Sequence, residues 1–156
     1  MWIKDIGTGY PIFAEGEVGM LNPINLILYR LFPIILSFNL SYIASYLILF
    51  TGCFLYARTI KISRLASCFF ALIFTFSGIS ITQVRAPQFI HALSYLPWIF
   101  LSLEAFFNSD KKSWLVILSI VIGLQLLTGY PQIVLISLIG ATIYSCFKLS
   151  SSKNKI

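Results

Sequence analysis

Residues 37–64 read SFNLSYIASYLILFTGCFLYARTIKISR. Ser37–Ala57 contains no charged residue over 21 positions, and Arg58, Lys61 and Arg64 then follow closely. A hydrocarbon core about 30 Å thick takes roughly 20 helical residues. In lipid every backbone amide must find its partner within the protein, which a helix achieves by itself. The stretch therefore predicts a transmembrane helix with a basic cluster at one end. The pattern recurs, and spans are predicted over 37–57, 65–83, 89–107, 113–127 and 131–147. The fold class is an all-α membrane protein of about five transmembrane helices, preceded by an external loop with a short interfacial helix.

The breaks between spans alternate in basicity. One set holds Arg58, Lys61, Arg64, Lys111, Lys112, Lys148, Lys153 and Lys155, whereas the other holds only Lys4, Arg30 and Arg85. An excess of Lys and Arg in short loops marks the cytoplasmic face. This places residues 1–36 outside the cell membrane and makes residues 148–156 a cytoplasmic tail. With 58% hydrophobic and 10% charged residues, the chain departs from soluble domains, in which about a quarter of residues are charged. A net charge of +6 does not indicate a nucleic-acid partner, because the basic residues cap apolar spans and form no patch. Cys53, Cys68 and Cys146 fall inside apolar spans and read as packing residues, without disulfide or metal-ligand spacing.

Several spans carry interruptions. Ser77 and Gly78 break the second near its external end, and Pro97 is expected to kink the third. Thr128-Gly129-Tyr130-Pro131 predicts a tight external hairpin, with Gly closing one helix and Pro opening the next. Residues 1–36 differ in character. Gly7, Gly9, Pro11, Gly16 and Gly19 are loop chemistry, and Asn22-Pro23 is a helix start. Ile24, Ile27, Leu28 and Leu31 share one helical face. Pro33 ends the segment after about 15 Å, too short to span. An amphipathic helix in the outer interface follows, with Tyr29 and Arg30 at headgroup level. The external N-terminus without a signal sequence, together with the serine-rich end at 150–152, predicts that the chain is a piece of something longer.

Three groups of residues could carry chemistry. Asp5, Glu15 and Glu17 lie in the external loop, where Glu15-Gly16-Glu17 sets two carboxylates on a flexible backbone. Such a pair could act as a general base or hold a divalent cation through oxygen; a solvated acidic loop is the plainer alternative. Arg85, Gln88 and His91 occupy the second external loop. His91, the only histidine, could exchange a proton or donate a hydrogen bond to phosphate. Arg85 could clamp phosphate, or both could merely anchor a helix end. Tyr130 and Gln132 stand at the hairpin and could join an external polar site. Glu104 is expected to snorkel to the membrane boundary, and Gln125 lies deep in its span.

In order along the chain, several strings resemble the YfhO-like bacterial membrane proteins. Gly9-Tyr10-Pro11-Ile12-Phe13-Ala14-Glu15-Gly16-Glu17 through Leu21-Asn22-Pro23-Ile24-Asn25 is similar to their first external loop. Phe76-Ser77-Gly78 is similar to a helix end, and His91 with Leu96-Pro97-Trp98 to the next segment. Leu124-Gln125-Leu126-Leu127-Thr128-Gly129-Tyr130-Pro131-Gln132 is similar to a later hairpin, with Tyr130 where the family form has His. That family resembles the GT-C class of glycosyltransferases. The resemblance implies an N-terminal fragment of a multi-pass enzyme of the bacterial plasma membrane, incomplete as a catalyst alone. It implies a polyprenyl-phosphate sugar donor at the outer face, with Glu15 or Glu17 as catalytic base or metal ligand and Asp5 a further candidate. Arg85, Gln88, His91, Tyr130 and Gln132 would bind substrate. The competing expectation is a non-catalytic polytopic subunit or a lipid or solute transporter fragment, although no internal repeat of the transporter kind is visible.

Overall fold

The computed structural model describes Gly19 and residues 21–153. Its helices are α1 (Pro23–Leu31), α2 (Ile34–Thr59), α3 (Arg64–Thr75), α4 (Gly78–Thr82), α5 (Pro87–Ser109), α6 (Ser113–Leu126) and α7 (Pro131–Lys153). A single 3-10 turn, Gln83–Arg85, joins α4 to α5. No strand occurs among the described residues. Four segments are long and apolar enough to cross a bilayer: α2, α3 with α4, α5, and α7 as far as Ser150. The all-α membrane class expected from the sequence is borne out. α6, with 14 residues, measures about 21 Å and is short for a hydrocarbon core of about 30 Å.

Span ends move for physical reasons. α2 starts at Ile34, three residues before the expected start, because Pro33 at φ −58° already suits the residue ahead of a helix. α3 stops at Thr75 and α4 resumes at Gly78, so the interruption lies where Ser77-Gly78 predicted it. Tyr46 braces this break from α2: its ring stacks on Phe76 with centroids 5.9 Å apart, and its hydroxyl donates to the Ser80 carbonyl at 3.1 Å. α5 continues through Pro97 as an unbroken helix. α7 runs on to Lys153, so the tail expected to start at 148 starts as helix. No Gly or Pro lies between Lys148 and Lys153 to end it.

α5 is the centre of the bundle. In its most apolar window 78% of residues are buried, against 17–22% for the other three candidate spans. α2 packs along one side of it, α6 and α7 along another, and α3 lies outside on α2. Small residues let its neighbours approach: Ala92, Ser94, Ser102 and Ala105 are all buried, which is how helices associate without a hydrophobic driving force. On α2 the matching concession is Gly52. A Cβ there would fall 2.5 Å from Trp98 Nε1 and 2.9 Å from Pro97 Cγ. Trp98 uses that approach to donate its indole N–H to the Ile48 carbonyl at 2.9 Å. Outward-facing Leu47, Ile73, Ile136 and Ile143 are more than half exposed, as lipid-facing residues should be.

Polar links fix the direction of each helix. Gln125 of α6 donates through Nε2 to the Ala92 carbonyl at 3.0 Å and to Ser137 Oγ at 2.9 Å. The Glu104 carboxylate meets Lys148 Nζ at 2.7 Å. Positions 92 and 137 are therefore level, as are 104 and 148, so α7 runs parallel to α5 and α6 antiparallel to both. Ser45 meets His91 and Ile48 meets Trp98, which makes α2 parallel to α5 as well. The α6–α7 hairpin thus comes to the same end of the bundle as the starts of α2 and α5.

Snorkelling, the expectation for Glu104, is overturned. Its side chain is 6% exposed and accepts hydrogen bonds from Lys148, from the Tyr144 hydroxyl in a short contact, and from Asn108 Nδ2 at 3.4 Å. A buried carboxylate needs a paired cation and filled lone pairs. α7 supplies both groups because Tyr144 and Lys148 stand four residues apart, on one face.

Candidate functional site

The end of the bundle where α2 and α5 begin carries a cavity of about 430 Å³. It lies between the separate short helix α1 and the starts of α2 and α5. Asn22 starts α1, its buried side chain accepting from Ile24 N–H at 3.1 Å, and Pro23 follows as the first helical residue. Ser37 then ties α1 to α2, its one hydroxyl hydrogen shared between the Leu28 and Phe32 carbonyls, 2.9 and 3.0 Å from Oγ.

Asn25, Leu26, Tyr29 and Arg30 of α1 line the cavity together with Gly19. These residues form two i, i+4 pairs and so share one helix face. Phe38 and Ser41 of α2 add to the wall, as do Pro87, Gln88 and His91 of α5. The Oδ1 atom of Asn25 is buried and has no hydrogen-bond partner, although an amide oxygen in such a place costs about 1–3 kcal/mol if left unpaired.

His91 is 4% exposed. Its Nδ1 lies 2.5 Å from Ser45 Oγ, and its ring sits 6.0 Å from that of Tyr42. Ser45 in turn donates to the Ser41 carbonyl one turn back, at 3.0 Å. The histidine is thus held through Nδ1 by α2, and it is one of the residues that line the cavity.

Gly19 closes a second side. Its φ of +56° belongs to the left-handed region, and a Cβ would stand 2.5 Å from the Thr128 carbonyl oxygen. Only glycine meets both conditions. The end of the first loop therefore docks on the α6–α7 hairpin. There Gly129 takes a φ of +76°, the left-handed turn expected after α6, and Thr128 is fully buried with its hydroxyl on the Gln125 carbonyl at 2.6 Å.

Of the expected substrate-binding residues, Gln88 and His91 come together in this cavity. Arg85 does not join them: it is exposed on the 3-10 turn, where the backbone is still turning into α5. Tyr130 packs edge-on against Phe89 at 5.6 Å, and Gln132 is exposed; neither lines the cavity. Asp5, Glu15 and Glu17 lie outside the described residues. Among the described residues no three His, Cys, Asp or Glu side chains gather as metal ligands. Tyr29 and Arg30, both exposed, line the cavity together with Asn25. The available signal was the polar spacing of Asn25, Tyr29 and Arg30, opposite the apolar face of α1.

Chemically the cavity combines a guanidinium, two carboxamides, an imidazole and the hydroxyls of Tyr29 and Ser41 with aromatic and apolar walls. A few convergent polar groups in an apolar hollow suit a small polar or anionic group attached to an apolar body. Compared with family models, with curated proteins and with solved structures, the chain has no match.

Proposed function

We propose that this chain is the N-terminal part of an integral membrane glycosyltransferase-like protein of the bacterial plasma membrane. It takes a polyprenyl-phosphate-linked sugar at the outer face, with the N-terminus external and the C-terminus cytoplasmic. One observation carries the reading: Arg30, Gln88 and His91 converge on a cavity at the end of the bundle where the short helix α1 lies. A lipid-linked phosphate enters from the bilayer and presents its charge at that level. Arg30 is the phosphate ligand, in place of Arg85, because a guanidinium meets two phosphate oxygens at once. Glu17 and Glu15 precede the cavity-lining Gly19 by two and four residues in the chain. In the transfer step one of these carboxylates takes the acceptor hydroxyl proton while the acceptor oxygen bonds to the anomeric carbon and the sugar–phosphate bond breaks, releasing the polyprenyl phosphate.

A photoactivatable polyprenyl-phosphate analogue, added to the chain in lipid nanodiscs, tests this. Label is expected on the peptides containing Arg30 and Gln88. Unlabelled polyprenyl phosphate should compete, excess phosphatidylglycerol should not, and Arg30→Gln should reduce the label about tenfold, the scale of one lost charge-assisted contact of about 1.5–3 kcal/mol. Equal labelling of Arg30→Gln sinks the assignment. Any longer protein containing the chain should also lose more than about tenfold in sugar transfer with Glu15→Gln or Glu17→Gln, the lower range of general-base effects.

A further inference from the structure

The hydrogen positions around His91 follow from its two neighbours. Ser45 Oγ makes two contacts, 3.0 Å to the Ser41 carbonyl and 2.5 Å to His91 Nδ1. A serine hydroxyl carries one hydrogen, and a carbonyl oxygen carries none. The contact with Ser41 can therefore hold a proton only if Ser45 supplies it. That leaves Ser45 a lone pair for Nδ1, so Nδ1 must bring its own hydrogen. The reverse assignment would set the Ser45 and Ser41 oxygens lone pair against lone pair at 3.0 Å. Back-bonding of a helical serine to the carbonyl four residues earlier is also its ordinary habit.

A neutral imidazole protonated on one nitrogen is an acceptor on the other. We propose that Ser45 is a positioning residue that fixes His91 as its Nδ1–H form and turns the Nε2 lone pair into the cavity, where it receives a hydroxyl of the ligand. The bound group is then a polyol carrying an anion: Arg30 takes the charge and His91 a ligand hydroxyl. An anion alone would gain nothing from Nε2, because two acceptors repel. This deepens the glycosyl-donor reading and rests on it only for the identity of the ligand; the hydrogen assignment stands on the two distances.

The chain has one histidine, so nitrogen-15 NMR of histidine-labelled protein in nanodiscs, purified without a histidine tag, reads this ring alone. At mildly alkaline pH the expected spectrum has a protonated Nδ1 and an unprotonated Nε2. Ser45→Ala should mix the two forms by removing the acceptor, and Ser45→Thr, which keeps the hydroxyl, should restore the pattern. An alkyl glucoside should shift the Nε2 resonance, whereas an alkyl sulfate of equal chain length should not. A proton on Nε2 in the unaltered chain, or no change in Ser45→Ala, overturns the positioning role. An Nε2 resonance indifferent to the glucoside overturns the ligand class. Failure of the polyprenyl-phosphate reading would appear elsewhere, as absent photolabelling with this ring pattern intact.

Discussion

Lys148 of α7 reaches Glu104 of α5 across 44 residues of sequence, Nζ to Oε2 at 2.7 Å, at the end of the bundle opposite the cavity. The pair sets the register of two parallel helices whose other tie, through Gln125, lies twelve residues away along α5. One tie near each end leaves α7 no freedom to slide by a turn.

Breaking the pair on one side should cost more than removing both members. Lys148→Met leaves a buried carboxylate with only Tyr144 and Asn108 as donors, a loss of about 3–5 kcal/mol by analogy with other buried pairs. The double variant Glu104→Gln/Lys148→Met should recover most of it. SDS-induced unfolding in mixed micelles measures both. Equal destabilisation of the single and double variants would mean that the charge pairing contributes little.

Gly52→Ala should destabilise the α2–α5 contact by about 1–3 kcal/mol, the usual cost of overpacking. The added methyl would overlap the Trp98 indole and the Pro97 ring, which are held inside a buried helix and cannot both withdraw. Trp98 would lose its bond to Ile48, so its fluorescence should shift together with the unfolding midpoint. Gly123→Ala is the control, because a Cβ there meets no atom within 4 Å. Similar behaviour of the two variants would refute the close-packing account.

The spans were legible because lipid imposes a coarse rule: about twenty apolar residues between charged ends, with backbone bonds closed within the helix. Pairings were not legible. Nothing local marks α5 as central, since apolar residues surround α2, α6 and α7 as well, and all-round coverage suits a lipid-facing span and a buried one alike. The buried Ala92, Ser94, Ser102 and Ala105 are a sign of close helix contact, but they do not say which neighbour comes close. Glu104 looks like a boundary residue until Lys148 is brought beside it from a segment that reads as tail. At the candidate site, Gln88 and His91 were found because polar residues at a span end are conspicuous. Arg30 was not singled out as a cavity residue, because an arginine on a short amphipathic helix suits a headgroup equally well. That it shares a cavity with Gln88 and His91 depends on where α1 meets α2 and α5, a matter of tertiary packing.

Gln125 is joined on one side only. Its Nε2 makes two hydrogen bonds, while Oε1 is buried without a partner. Gln125→Leu fills nearly the same space and removes the unpaired acceptor, whose burial costs about 1–3 kcal/mol, against two bonds worth about 0.5–1.5 kcal/mol each. The carbonyl of Ala92 keeps its place in the α5 ladder, and Ser137 keeps its own bond to Ile133 at 2.7 Å. Stability should therefore change by no more than about 1 kcal/mol. Gln125→Ala, which leaves a hole, should cost about 2–5 kcal/mol. If leucine proves as damaging as alanine, the hydrogen bonds and not the volume hold α6 in place.

The proposed orientation rests on loop charge, and the helix directions check the order of crossings on which it depends. α2, α5 and α7 run one way, so the starts of all three share a face of the membrane, and α6 must cross between the end of α5 and the start of α7. Although α6 is only about 21 Å long, its Gln125 is level with Ala92 near the start of α5. It therefore climbs most of the height of the bundle and cannot be a shallow re-entrant turn. Single cysteines in a background without Cys53, Cys68 and Cys146 test this with a membrane-impermeant maleimide applied from outside. Gln132 is the site for the α6–α7 end, because it is exposed whereas Gly129 is buried with positive φ; Asn108 serves the other. Gln132→Cys should label from outside, whereas Asn108→Cys should label only after the membrane is opened. The opposite pattern would invert the chain and put the cavity on the cytoplasmic side, where a donor used at the outer face could not reach it. Labelling of both from outside would mean that α6 does not cross, against the level set by Gln125 and Ala92.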